Sequence, residues 1–301
     1  MVTRLLFINK EAEMISIKKL ALLILFPVSH LSAQASIEYR NLDGLNDPKR
    51  WEPAECEVSV SARKAWDLPM MRMHILVDYT AGEKAYPIGW PRMYLNLTQK
   101  EQNWRDYDRL EFQLYVESSR DNLPQRPINF HLFNKQGQKK IISMTSATIG
   151  KAVTFSLNIS DIGIPGEVTR VGFNINESDY NDKDLVDYHI GGFRLARASA
   201  AQVTEIKSVA PAIFCDSQVL PVEVVIEGPT EKLIAGIPFQ LCCGKNVAFN
   251  KTISVVRGRQ TLYLSLGAAN VVPGAYTLIA FPEKPELRKA IAITITSSPW
   301  K

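Results

Sequence analysis

The stretch that decides the fold is Trp104-Arg105-Asp106-Tyr107-Asp108-Arg109-Leu110-Glu111-Phe112-Gln113-Leu114-Tyr115-Val116. Leu110, Phe112, Leu114 and Val116 alternate with Glu111, Gln113, Tyr115 and Glu117. A period of two gives a β-strand one buried face and one wet face. The spacing predicts the central strand of a β-sandwich, entered through Trp104 and a short polar turn.

The same alternation recurs on both sides of this stretch. Met71, Met73, Ile75, Val77 and Tyr79 carry it, as do Ile128, Phe130 and Leu132; Val153, Phe155, Leu157 and Ile159; and Val171, Phe173 and Ile175. Strands are expected over 56–60, 71–79, 92–97, 110–116, 128–133, 140–145, 153–159, 169–175 and 188–195. Clusters of Gly, Pro, Asn and Asp separate them, which is the pattern of an all-β sandwich or barrel. Within the last segment Tyr188 and Ile190 share a face, and Phe193 and Leu195 resume it after Gly191-Gly192, so a β-bulge is expected there. Ala198-Ser199-Ala200-Ala201 reads as a linker. Beyond it, strands are expected over 203–209, 222–227, 237–242, 252–257, 262–266, 276–281 and 290–296, the number and spacing of a second, smaller sandwich.

The first 35 residues read as a signal peptide. Lys18-Lys19, the apolar run Leu20 to Val28 and Ala33-Gln34-Ala35 supply its charged, hydrophobic and small-residue parts. The run is shorter than the ~20 residues of a spanning helix, and no second run of that length follows. An exported chain, periplasmic or extracellular, is therefore expected, without a transmembrane segment once the signal is removed, a signal anchor that stays attached being the alternative. The formal charge of +4 is small and the basic residues are scattered, so the footprint of a nucleic-acid binder is missing.

Tyr107-Asp108-x-Leu110-x-Phe112, entered from an aromatic and a polar turn, resembles the jelly-roll, galactose-binding-like carbohydrate-binding modules appended to carbohydrate-active enzymes. Val272-Pro273-Gly274-Ala275-Tyr276-Thr277-Leu278 resembles the turn into a strand of bacterial immunoglobulin-like domains. The resemblances imply an all-β chain of two β-sandwiches, an N-terminal jelly roll over 36–198 and a C-terminal immunoglobulin-like sandwich over 203–301. They also imply a polysaccharide or other glycan as partner. In modules of this look the last strand often carries an Asp for a structural calcium; Tyr188 to Leu195 has Gly191 in that place. The run Asn176 to Asp184 is rich in oxygen ligands but lacks an EF-hand order. It is read as a solvated acidic loop with no cofactor, a structural calcium being the alternative.

Sugars are held by aromatic faces and by hydrogen bonds from polar side chains. The loop Tyr86-Pro87-Ile88-Gly89-Trp90-Pro91-Arg92-Met93-Tyr94 concentrates aromatics before a strand. The strand phase that buries Leu95, Leu97, Leu110, Phe112 and Leu114 turns Tyr94, Gln113, Tyr115, Asn129, His131 and Asn174 outward. Trp90, Arg92, Tyr94, Gln113, Tyr115 and His131 are the expected ligand-binding residues, for a neutral or weakly charged glycan. Trp104 is expected to cap the core. Glu111 and Glu117, outward on the central strand, are expected to be solvated rather than catalytic. No nucleophile elbow, zinc-binding helix motif or phosphate loop occurs. A non-catalytic binding protein is thus the first reading; a small β-sandwich polysaccharide hydrolase or lyase, or a structural or adhesion surface protein, are the alternatives. For the four cysteines, Cys56, Cys215, Cys242 and Cys243, the sequence leaves open a Cys215 bridge to one of the adjacent pair or free thiols.

Overall fold

The computed structural model describes residues 36–81, 89–163, 167–210, 212–229, 234–267 and 271–299. The signal-like segment, and Tyr86 to Ile88 of the aromatic loop, lie outside the described residues. The described chain is all-β. Its strands are β1 (Ile37–Asn41), β2 (Glu52–Ala54), β3 (Glu57–Ala65), β4 (Leu68–Leu76), β5 (Arg92–Asn96), β6 (Arg109–Ser118), β7 (Asn129–Asn134), β8 (Lys139–Ser143), β9 (Val153–Asn158), β10 (Val168–Asn174) and β11 (Leu185–Ala198). They continue as β12 (Gln202–Ser208), β13 (Ile213–Phe214), β14 (Val219–Glu227), β15 (Ile234–Cys243), β16 (Asn246–Val255), β17 (Gly258–Ser265), β18 (Gly274–Ala280) and β19 (Lys289–Thr296).

Strands β3-β4-β11-β6-β9 form one sheet, with β1 continuing beside β4 on the same edge of β11, and β2-β5-β10-β7-β8 form the sheet that faces it. Between them lie the predicted inward residues: Leu110, Phe112, Leu114 and Val116 of β6 are at most 1% exposed. Phe112 stacks on Phe193 at 5.1 Å between ring centroids, and Phe130 meets Phe173 at 4.8 Å. Trp104 caps this core as expected, its indole N–H donating to the Glu101 carbonyl at 2.7 Å. The bulge expected in β11 is present: its register with β6 shifts between Gly191 and Arg194, and Gly192 has φ of +67°.

A second apolar cluster runs from Val203 to Ile295, between the sheets β12-β14-β17 and β13-β19-β18-β15-β16. Asp108 sits where the two parts meet. It accepts from the backbone N–H of Ala198 at 2.8 Å and Gly228 at 3.3 Å, and from Arg257 Nε at 2.6 Å.

Three readings are corrected, and one that the sequence left open is decided. Glu111 is buried, because the bulge brings Arg194 onto it at 2.9 Å and Arg109 stands at 3.3 Å. All four cysteines are free thiols. Cys215 follows β13, which is three strand positions from β15 in the same sheet. That is about 14 Å, more than a disulfide spans. The short strands β1, β2 and β13 have no counterpart in the sequence reading, since each is defined by its partner more than by its own pattern. The acidic run 176–184 is occupied by protein donors. Glu177 accepts from Gly89 N at 2.8 Å, Asp182 from Tyr79 N at 3.0 Å, and Asp184 pairs with Arg120 at 2.8 Å. Among the described residues no group of three or more His, Cys, Asp or Glu could hold a metal ion. No helix of these residues is long and apolar enough to cross a membrane.

Candidate functional site

On the outward face of the β2-β5-β10-β7-β8 sheet, the register sets side chains from distant parts of the chain into rows. One row is Glu52, Tyr94, Gly172, His131 and Ile141. On one side of it lie Asn96, Arg170, Phe133 and Lys139; on the other, Ala54, Arg92, Asn174, Asn129 and Ser143. The alternate residues Met93, Leu95, Phe130, Leu132, Val171 and Phe173 are fully buried beneath, which fixes the phase of the whole face.

Glycine at 172 shapes this surface. A Cβ there would overlap the Tyr94 ring, so the ring lies down across the backbone of β10. Arg170 packs over Tyr94 at 4.2 Å, and Phe133 meets Tyr94 edge-on at 5.9 Å. Trp90 precedes β5, 38% exposed. Arg92 approaches its ring at 4.9 Å and Lys139, from the far edge strand, at 5.9 Å. His131 and Asn174, on the two strands between those edges, are each only 2% exposed.

The floor of the face carries unsatisfied polarity. Neither ring nitrogen of His131 has a well-formed hydrogen bond, and Asn174 Oδ1, Ser143 Oγ and Arg170 Nε are also unpaired. Buried polar atoms are ordinarily paired, and leaving one unpaired costs about 1–3 kcal/mol. Burial, then the nearby Lys139 ammonium, lowers the His131 pKa to about 4 against a weaker opposing pull from Asn174, so the imidazole is neutral at pH 7. Burial likewise pushes the Tyr94 phenol up, against Arg170 and Arg92. The carboxylates at the edge are engaged: Glu55 accepts from Trp90 N and stands 3.7 Å from Arg92.

Of the six residues expected from sequence, this face brings together Trp90, Arg92, Tyr94 and His131. Gln113 and Tyr115 belong to β6, in the opposite sheet, and point outward on the other side of the sandwich. Their phase is as expected; their sheet is not. Tyr115 is also covered, with the Arg63 guanidinium 3.4 Å from its ring centre. Arg63 in turn pairs with Glu117 at 2.7 Å. On that same side Ser61 Oγ lies 2.8 Å from His189 Nδ1, and Asp187 holds Arg72 and His74, each at 2.7 Å. Most of these groups are paired with one another, although His189 Nε2 is buried without a hydrogen bond, 3.6 Å from Glu117. Phe133, Arg170 and Lys139 were not singled out by the sequence reading. The outward phase of Phe133, opposite buried Leu132, was the signal that could have found it.

No protein-family model matches the chain, and no curated protein matches it. Among solved structures, a β-1,2-glucanase from Parabacteroides distasonis is similar over 88% of this chain and 37% of its own, with 12% identity and a TM-score of 0.37. The chain thus spans little more than a third of that enzyme. A carbohydrate-binding module that recognises mannan is similar over 55% of this chain and all of its own, with 12% identity and a TM-score of 0.32. A tandem pair of carbohydrate-binding modules from Paenibacillus barcinonensis covers 88% of this chain and 91% of its own, with 8% identity and a TM-score of 0.33. Likeness at this level carries neither substrate nor activity across to the chain.

Proposed function

We propose that the chain is an exported, non-catalytic carbohydrate-binding protein that holds a polysaccharide on the outward face of the β2-β5-β10-β7-β8 sheet. One observation carries this reading: Trp90, Tyr94 and Phe133 lie on one face beside the accessible polar atoms of Arg92, Asn96 and Asn129. A sugar offers apolar C–H faces to rings and hydroxyls to such atoms, and a site of both kinds matches it. The closed pairing of Glu55 with Arg92 and Trp90 supports holding rather than cleavage, since a general acid or base must be free to reach the reacting bond. The segment 203–301, proposed as an immunoglobulin-like sandwich, serves as spacer or partner surface.

Affinity gel electrophoresis of the chain in a panel of soluble polysaccharides tests the reading. Retention by at least one is expected, weakened several-fold by Tyr94→Ala, because a ring contact of this kind contributes about 1 kcal/mol. Tyr115→Ala, on the opposite face, should leave retention unchanged. Failure of every polysaccharide to retard the chain overturns the reading, and release of reducing sugar replaces it with that of an enzyme.

A further inference from the structure

Two cations on the proposed binding face have no carboxylate partner among the described residues. Arg170 Cζ and Lys139 Nζ converge on the Phe133 ring, at 5.8 Å and 5.6 Å from its centre. Their other neighbours are also rings, Tyr94 for Arg170 and Trp90 for Lys139. By contrast, Arg92 has Glu55 beside it, and on the opposite sheet Arg63 and Arg72 have Glu117 and Asp187. Against rings a guanidinium keeps its charge but leaves most of its N–H donors unused, and Arg170 Nε is buried without an acceptor. His131, 2% exposed and without a well-formed hydrogen bond at either nitrogen, lies beside this pair in the register. The face therefore offers stacking surface, neutral donors and acceptors, and an unbalanced pair of positive charges within a few ångströms of one ring.

We infer that the polysaccharide held on this face carries carboxylate groups, as a polyuronate does, with Arg170 and Lys139 receiving the carboxylates while Tyr94 and Trp90 stack on the sugar rings. The inference rests on the binding reading above. It replaces the neutral glycan expected from sequence. A planar carboxylate accepts two parallel N–H bonds from a guanidinium, and such charge-assisted bonds exceed neutral ones in strength. A neutral sugar would leave both cations without a counter-charge.

The test compares the full chain on polygalacturonate, on a neutral galactan and on dextran sulfate, by affinity gel electrophoresis and titration calorimetry at low and moderate salt. The expected result is binding to polygalacturonate at least about tenfold tighter than to galactan and weakening as salt rises. Lys139→Gln and Arg170→Gln should each reduce it severalfold, and Tyr94→Ala should reduce it too; circular dichroism of the variants reports whether the sheet survives. Arg170→Lys, which retains charge without the planar fork, should restore part of the loss. Galactan bound as tightly as polygalacturonate, without salt dependence, overturns this inference and leaves the binding reading standing. Dextran sulfate bound tightly with polygalacturonate ignored overturns the carboxylate assignment. Polygalacturonate binding untouched by Tyr94→Ala and Arg170→Gln marks a diffuse charge effect and overturns it as well. No retention by any polysaccharide overturns both.

Discussion

His131 sits on the strand phase that should make it wet, yet Tyr94, Phe133 and Lys139 gather around its position and leave it 2% exposed. Its pKa falls from 6.5 to about 4 as a result. Below pH 6.5 the unfolded chain takes up a proton that folded His131 refuses until about pH 4, so this residue's contribution is intact above pH 6.5 and is lost between those values. The loss is on the order of 3 kcal/mol. Urea unfolding at pH 7 and pH 4.5 should show His131→Gln losing clearly less stability on acidification than the unaltered chain; equal losses in both would remove His131 from the account. At Gly172 the expectation is steric. Gly172→Val must push the Tyr94 ring off β10, so polysaccharide retention should fall as far as it does in Tyr94→Ala while the far-ultraviolet spectrum stays that of a β protein. Retention equal to that of the unaltered chain would mean that the lie of the ring is irrelevant.

Strand β11 is the element on which the larger sheet depends, paired to β6 on one side and to β4 and β1 in succession on the other. Its bulge does two things. It lets the apolar phase move from Tyr188 and Ile190 to Phe193 and Leu195, all buried, and it swings Arg194 over Glu111. The left-handed backbone at Gly192 excludes a side chain on two grounds, the positive φ of +67° and the closeness of Ala65 and Trp66. Gly192→Ala should cost at least about 2 kcal/mol in chemical denaturation, with strain and overlap adding. A variant as stable as the unaltered chain would show that the bulge tolerates a side chain.

Over the whole molecule, two apolar cores are joined through polar contacts. Besides Asp108 with Arg257, the junction holds Arg109 Nε at 3.1 Å from buried Glu227, whose pKa burial raises against the pull of Arg109, and Arg259 paired with Asp161 at 2.8 Å. A cavity of about 330 Å³ lies among these groups, lined by Tyr107, Asn158, Ser160 and Gly258 among others. Asp108 is the keystone, since its two oxygens serve the strand end at Ala198, the backbone at Gly228 and Arg257 together. Removing one member of a buried charged set costs about 3–5 kcal/mol. The chain is expected to melt in one calorimetric transition, and Asp108→Ala to split it in two, as each core then unfolds on its own. A single transition retained in the variant would place the coupling elsewhere.

The sequence by itself determined the long, strongly alternating strands and which way their side chains point relative to their own sheet, but not the short strands β1, β2 and β13. Alternation in β6, β7, β9 and β10 is local, with a period set by backbone geometry, and Leu110, Phe112, Phe130, Leu132, Val171 and Phe173 are all buried as that period requires. It also disclosed the bulge at Gly191-Gly192, because a slip of phase is written in the order of residues. What only the tertiary structure decided is which strands share a sheet. Tyr94 and Tyr115 have the same phase, but β5 and β6 lie in different sheets, so four of the six expected site residues meet and two face away. The pairing of β5 with β10 and β10 with β7 brings Tyr94, Phe133, Lys139 and Arg170 together although Tyr94 and Arg170 lie more than seventy residues apart in the chain, and a nearly even overall charge conceals that local excess of cations. The same non-local pairing buries Glu111 under Arg194 and sets Cys215 three strands from Cys242 and Cys243. Strand pairing is a choice among distant partners, made by the packing of whole faces against one another, and no period along the chain records it.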